Sequence, residues 1–167
     1  TGPAFEGAQI SCGQRAAPGA IERVRIDPLT LEPRVRVIGC DLWSDDPGFA
    51  AATAATGVTG ICGSGIIEVV AELYLAGVIR HDGTIDGGLA ARNPRIHADG
   101  RTYAYLLREG AGGRAQLRIT QNDVRAIQLA KAALYAGVRL LMERLAVDQV
   151  DRIRLAGAFG SHIDVKY

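Results

Sequence analysis

The clearest periodicity in the chain lies over residues 121–144. Val124, Ile127, Leu134, Val138, Leu141 and Leu145 recur at three- and four-residue spacing, which marks one apolar face of an α-helix. Thr120, with Asp123 three residues on, reads as the capping box that opens it. A second helix is predicted over residues 64–76. Its apolar positions, Ile66, Ile67, Val69, Val70, Leu73 and Leu75, cover most of the circumference and leave Glu68 and Glu72 on one polar edge. A helix of that kind is buried between layers. Gly77 is its C-cap candidate.

Strand-like alternation replaces helical spacing elsewhere. Ile21, Val24 and Ile26 lead to Asp27-Pro28-Leu29-Thr30, and Val35, Val37 and Ile38 return with Arg34 and Arg36 on a solvated face. This predicts a hairpin over residues 21–38, with Pro28 presetting the turn. Residues 103–108 and 115–119 flank Gly110, Ala111, Gly112 and Gly113 as a second hairpin. Ile153, Leu155 and Ala156 predict a buried central strand over residues 152–156. Its following turn is expected at the carboxyl edge of the sheet, where open α/β sheets bind ligands. Residues 39–56 and the polar, glycine-marked 80–101 read as loops. The expected fold class is α/β: a mixed sheet with hairpin insertions and two long helices.

Composition narrows the class further. At 167 residues, 48% hydrophobic and 22% charged, the chain suits one globular domain or part of a larger one. No apolar run approaches the ~20 residues of a membrane span, and a net charge of +1 with dispersed arginines leaves no footprint for nucleic acid. Cys12, Cys40 and Cys62 are far apart and odd in number, which argues against a disulfide framework or a CxxC metal site and points to the cytoplasm. His81 and His97 have no partner at ligand spacing, and Trp43 reads as a local anchor.

Three places carry candidate chemistry. Gly157-Ala158-Phe159-Gly160 joins the predicted strand to Ser161, a helix N-cap; such a turn either brings backbone N–H groups to a ligand or is simply tight. Gly63-Ser64-Gly65 opens the shorter helix, where it either binds an anion or lets the helix pack closely on a sheet. Cys62 beside it reads as a buried small residue. Only Lys131 and Lys166 are lysines among the 19 basic residues. Lys131 falls near the centre of the long helix's apolar stripe, where an ammonium must snorkel, pair or meet a polar ligand. The opening Gly2-Pro3 stretch is either a connecting loop or the wall of a ligand site.

Four spellings in order, G-P-A-F-E-G-A-x-I-S-x-G, T-G-I-C-G-S-G-I-I-E, D-V-R-A-I-Q-L-A-K-A-A and L-A-G-A-F-G-S-H-I-D, resemble the C-terminal domain of the reductive activators of corrinoid proteins. That family belongs to the actin-like superfamily of sugar kinases, acetate kinases and heat-shock ATPases. The resemblance implies a partial actin-like ATPase fold and a full-length protein that uses ATP to help reduce a cobalt(II) corrinoid to cobalt(I) on a partner corrinoid protein. It also implies a two-iron two-sulfur cluster on a separate ferredoxin-like domain, and a homodimer. Gly157, Ala158, Phe159, Gly160 and Ser161 match the family's adenosine motif, and Lys131 matches a lysine facing the nucleoside. Gly2 and Pro3 would follow the second phosphate loop and line the phosphate end.

The family's aspartate-glycine-threonine phosphate loops do not occur here; Asp82-Gly83-Thr84 lacks their spacing and the buried strand before them. The ferredoxin cysteines are absent too. The chain is therefore expected to be a piece of the C-terminal ATPase-like domain that alone neither hydrolyses ATP nor reduces corrinoid. A competing expectation is a docking or dimerisation module without nucleotide. An acetate- or sugar-kinase-like phosphotransferase would need a substrate carboxylate or base that the sequence does not supply.

Overall fold

The computed structural model describes residues 3–4, 7–156 and 162–163. The predicted first hairpin forms as β1 (Ala20–Ile26) and β2 (Pro33–Val37), antiparallel, with Val24 opposite Val35. Asp27 stabilises its turn by accepting from the Leu29 and Thr30 amides and the Thr30 hydroxyl, which holds its carboxyl below the usual range. On the other side, β1 pairs in parallel with the short β3 (Gly60–Ile61), giving the order β2-β1-β3. The amino-terminal segment extends this sheet: Ile61 donates to the Cys12 carbonyl and accepts from the Gln14 amide, both at 2.9 Å.

Against β1 lies α2 (Gly63–Leu75), whose Ile66, Val69 and Leu73 are buried. It ends as predicted. Gly77 takes φ +74°, the Gly77 amide donates to the Tyr74 carbonyl and the Val78 amide to the Leu73 carbonyl. This paired closure needs a left-handed residue at that point. Buried Val78 and Leu73 complete it.

The second sheet is antiparallel, in the order β4 (Ile96–Asp99), β5 (Thr102–Arg108), β6 (Leu117–Thr120). β5 and β6 are the expected second hairpin. β4 and the short 3-10 helix before it, Gly87–Ala91, lie in the stretch read as loop. Asp99-Gly100 was the signal for β4: Asp99 pairs with Thr102 and Gly100 sits at φ +60°, so the turn mark was a hairpin tip rather than a loop. The other element inside an expected loop is α1 (Phe49–Ala52), a single turn that buries Phe49. Trp43 nearby is a local anchor, with the Arg34 guanidinium 4.9 Å from its ring centroid.

One apolar core runs through both sheets. Tyr105 on β5 joins them by donating its hydroxyl to the Leu31 carbonyl at 2.8 Å; burial pushes its pKa up. Arg95 pairs with Glu32, and the Asn93 amide donates to the Thr30 carbonyl. Together these contacts seat the first hairpin's turn against the second sheet.

The long helix α3 (Gln121–Leu145) opens with the predicted capping box: Thr120 accepts from the Asp123 amide and Asp123 accepts from Thr120. Replacing Thr120 by Ala should cost about 1 kcal/mol of stability, the scale of one N-cap. A denaturation midpoint equal to that of the parent would contradict the assignment.

Two expectations need correction. Residues 152–156 form no strand and lie exposed, Ile153 at 76%. A strand is held by a ladder partner, and none among the described residues pairs with it. Likewise, the stripe of α3 does not face a core along its length. Val124 and Ile127 are buried, but α3 then projects past the sheets, leaving Leu134, Leu141 and Leu145 exposed. Periodicity gave the helix and its apolar face, not what covers that face.

Candidate functional site

The structure decides between the two readings of Gly63-Ser64-Gly65 in favour of packing. The Cys62 amide donates to the Ile21 carbonyl, and the Ser64 hydroxyl donates to the Glu22 carbonyl at 3.1 Å. A Cβ at residue 65 would lie 2.5 Å from the Ile21 carbonyl oxygen and 2.9 Å from Ile61 Cγ1. This helix start is pressed onto β1, and Cys62 is the buried small residue expected.

α2 returns the favour through Glu68 and Glu72. Beyond Ile21, no strand among the described residues pairs with β1 on its β3 side, so the Val24 and Ile26 amides need other acceptors. Glu68 Oε2 accepts from Val24 at 2.9 Å and Glu72 Oε2 from Ile26 at 2.8 Å. The spacings match: two strand residues span roughly 6.6 Å and four helix residues roughly 6 Å. Glu68 also pairs with Arg23 at 2.5 Å and Arg25 at 2.9 Å. Ile163 lines a small cavity with Arg25, Glu68 and Glu72, so the chain comes back to this helix edge near its end.

A second cluster ties the amino-terminal segment to α3. Asp123 is buried, and beyond its capping role its Oδ1 accepts from the Ser11 amide at 2.8 Å and the Ser11 hydroxyl at 3.0 Å. Neighbouring Cys12 donates to the Arg118 carbonyl; burial, reinforced by the Asp123 charge, pushes its thiol up to about 12. Such a thiol stays protonated and is no nucleophile at neutral pH.

Between this tethered segment and α3 runs a groove of about 640 Å³. Pro3, Ala4 and Gln9 form one wall; Asn122, Arg125, Ala126, Leu129, Ala130, Ala133 and Leu134 form the other. Pro3 thus does line a concave surface. Lys131 is exposed and belongs to a different face. At about 100° per residue, it points about 160° away from Ala133. Within the described residues, the structure therefore does not bring Pro3 and Lys131 together. Gly2, Gly157, Ala158, Phe159, Gly160 and Ser161 lie outside the described residues. Asp82-Gly83-Thr84 is a surface turn, held by the Gln121 side chain through the Gly83 carbonyl and the Ile85 amide.

The sequence reading missed the groove's alanine-rich face. Ala126, Ala130 and Ala133 recur at helical spacing, and small residues at that spacing permit close approach. The larger aliphatic stripe, which meets the groove at Leu134, masked them. The Asp123–Ser11 link spans 112 positions and leaves no local signal.

Among the described residues no cluster of three or more His, Cys, Asp or Glu is placed to hold a metal ion, and no helix is long and apolar enough to cross a membrane.

Two three-stranded sheets, a buried helix on the mixed one and a long projecting helix make a mixed α/β domain, and the comparisons place it in the ASKHA, actin-like class. A family model described as the C-terminal domain of RACo, the ASKHA domain, matches residues 1–167, and the chain belongs to this family. It is 36% identical over 173 residues to the corrinoid activation enzyme RamQ of Eubacterium limosum, covering 98% of this chain and 26% of that protein. It is similar to a solved structure of a reductive activator for corrinoid, iron-sulfur protein, with a TM-score of 0.79 and 32% identity over 99% of this chain and 24% of that one. The chain thus spans about a quarter of the length of these relatives.

Proposed function

We propose that this chain is part of the ATPase-like domain of a corrinoid-activating protein, contributing the adenosine side of its nucleotide site. The observation that carries this reading is the match of nearly the whole chain to two proteins that are both named as corrinoid activators. In the full-length protein, bound ATP would supply the driving force for reducing a cobalt(II) corrinoid to cobalt(I) on a partner corrinoid protein. The electron would come from a two-iron two-sulfur cluster on another domain. A cytoplasmic homodimer completes the proposal.

The residues of this chain take limited roles in it. Gly157, Ala158, Phe159, Gly160 and Ser161 would present backbone to the adenosine, and Gly2 and Pro3 would lie toward the phosphates. Lys131 fits an anionic or polar ligand: it is exposed on a rigid helix and makes no ion pair among the described residues. Because Pro3 lies on another face of α3, any nucleotide touching Lys131 would be completed by residues beyond those described.

Lys131→Met in the full-length protein tests this. The change keeps the aliphatic stem and removes the ammonium, so nucleotide affinity should fall about tenfold or more, the scale of one charge-assisted hydrogen bond. The thermal midpoint should hardly move, because an exposed charge is lost. Unchanged affinity removes Lys131 from the site. The exposed apolar face of α3 favours a second reading, a docking or dimerisation module; in that case the parent protein itself binds no nucleotide.

A further inference from the structure

β5 ends in an irregularity that redirects one cation. Leu106 stands opposite Arg118 and Arg108 opposite Leu117, which leaves Leu107 as an extra residue. Opposed residues project to the same face. In a regular ladder Arg108 would follow Ala104 and Leu106 onto the side of exposed Arg118. The bulge turns it instead to the side of buried Leu117 and Ile119, the re-aiming that bulges beside functional sites produce.

There Arg108 is only half exposed, with its guanidinium 5.5 Å from the Phe49 ring centroid. Among the described residues it makes no ion pair and no side-chain hydrogen bond, and burial lowers its pKa. Stacking on Phe49 offsets part of the lost hydration. A residue needed only to cover that ring would cost less without a charge.

The guanidinium faces a groove of about 390 Å³ between α1 and the turn joining β5 to β6. Arg114 lines the same groove and is anchored by donating to the Thr56 carbonyl at 2.9 Å. Glu109 lies on the rim too, its carboxylate accepting from the Gln116 amide at 2.8 Å. Two guanidiniums against one carboxylate leave the lining net positive. Ala50, Ala54 and Val58 give it a small apolar wall. The size suits a small molecule, and paired arginine forks match planar or tetrahedral oxyanions.

We propose that this groove binds a small ligand through a phosphate or carboxylate group held between Arg108 and Arg114, with the ligand's apolar part against Ala50, Ala54 and Val58. Neither Pro3 nor Lys131 lines this groove, and the proposal stands whether or not the nucleotide residues bind ATP.

The test is calorimetric titration of the full-length protein, its Arg108→Gln variant and its Arg114→Gln variant with inorganic phosphate, and separately with acetate. One saturable event should be lost in Arg108→Gln and weakened at least about tenfold in Arg114→Gln. Response to phosphate alone assigns a phosphate ligand, to acetate alone a carboxylate, and to both an oxyanion of either kind. The exposed loop position of Arg114 keeps the test open if Arg108→Gln does not fold. Failure of both anions to saturate the parent protein below about 50 mM, or saturation unchanged in the variants, overturns the proposal. The second result would place any phosphate binding elsewhere, the nucleotide site included.

Discussion

Glu68→Ala should destabilise the protein by about 3–5 kcal/mol, the scale of breaking a buried charge pair from one side. Glu68 is 8% exposed and accepts from the Val24 amide, Arg23 and Arg25 at once. Removing it strips a buried backbone N–H of its acceptor and takes a counter-charge from two half-buried guanidiniums. Glu68→Gln should cost less, because one carbonyl oxygen still serves Val24 while the charge is gone. Urea denaturation of the three proteins measures this, and a loss below about 1 kcal/mol for Glu68→Ala would mean that the carboxylate is dispensable to the β1 edge. The consequence reaches past stability. Ile163 lines the same cavity as Glu68, so this helix edge also receives the chain after the proposed adenosine turn.

Gly65→Val is the second large effect, expected at about 3 kcal/mol. Helix propensity alone would favour Ala over Gly within α2 by about 1 kcal/mol, and Val by less. The sign is reversed by the Ile21 carbonyl oxygen, 2.5 Å from where the Cβ must go; that atom belongs to a strand paired on both sides and cannot swing away. Gly65→Ala should be milder, as one methyl meets the strand without the two extra carbons of Val. A thermal midpoint for Gly65→Ala above the parent's would show that α2 can lift off β1, and the packing account of this glycine would fail.

These two residues show what the sequence could and could not say. Glu68 and Glu72 were visible as a polar edge on an otherwise apolar helix, and that helix was rightly expected to be buried. A polar edge ordinarily means water. Here it means the amides of Val24 and Ile26, because among the described residues β1 has no second neighbouring strand beyond Ile21, and no local pattern announces that. The hairpins, the capping box at Thr120 and the Gly77 closure were legible because each is specified within a few residues. β4 was not: four residues beside an Asp-Gly mark carry too little alternation to separate strand from loop. The strand expected over 152–156 failed because apolar spacing tells which side of an element wants cover, and no described residue supplies a ladder partner there. Of the candidate site, Pro3 lines a groove whose alanine face went unread in the sequence.

The central claim is that this chain serves an ATP-dependent corrinoid activator. Its most direct test is the absorption spectrum of a cobalt(II) corrinoid protein mixed anaerobically with the reduced full-length protein, recorded with and without ATP. The account predicts cobalt(I) formation that requires ATP and is slowed by Lys131→Met at sub-saturating nucleotide. Cobalt(I) appearing at the same rate without ATP, or not appearing at all with it, would contradict the account.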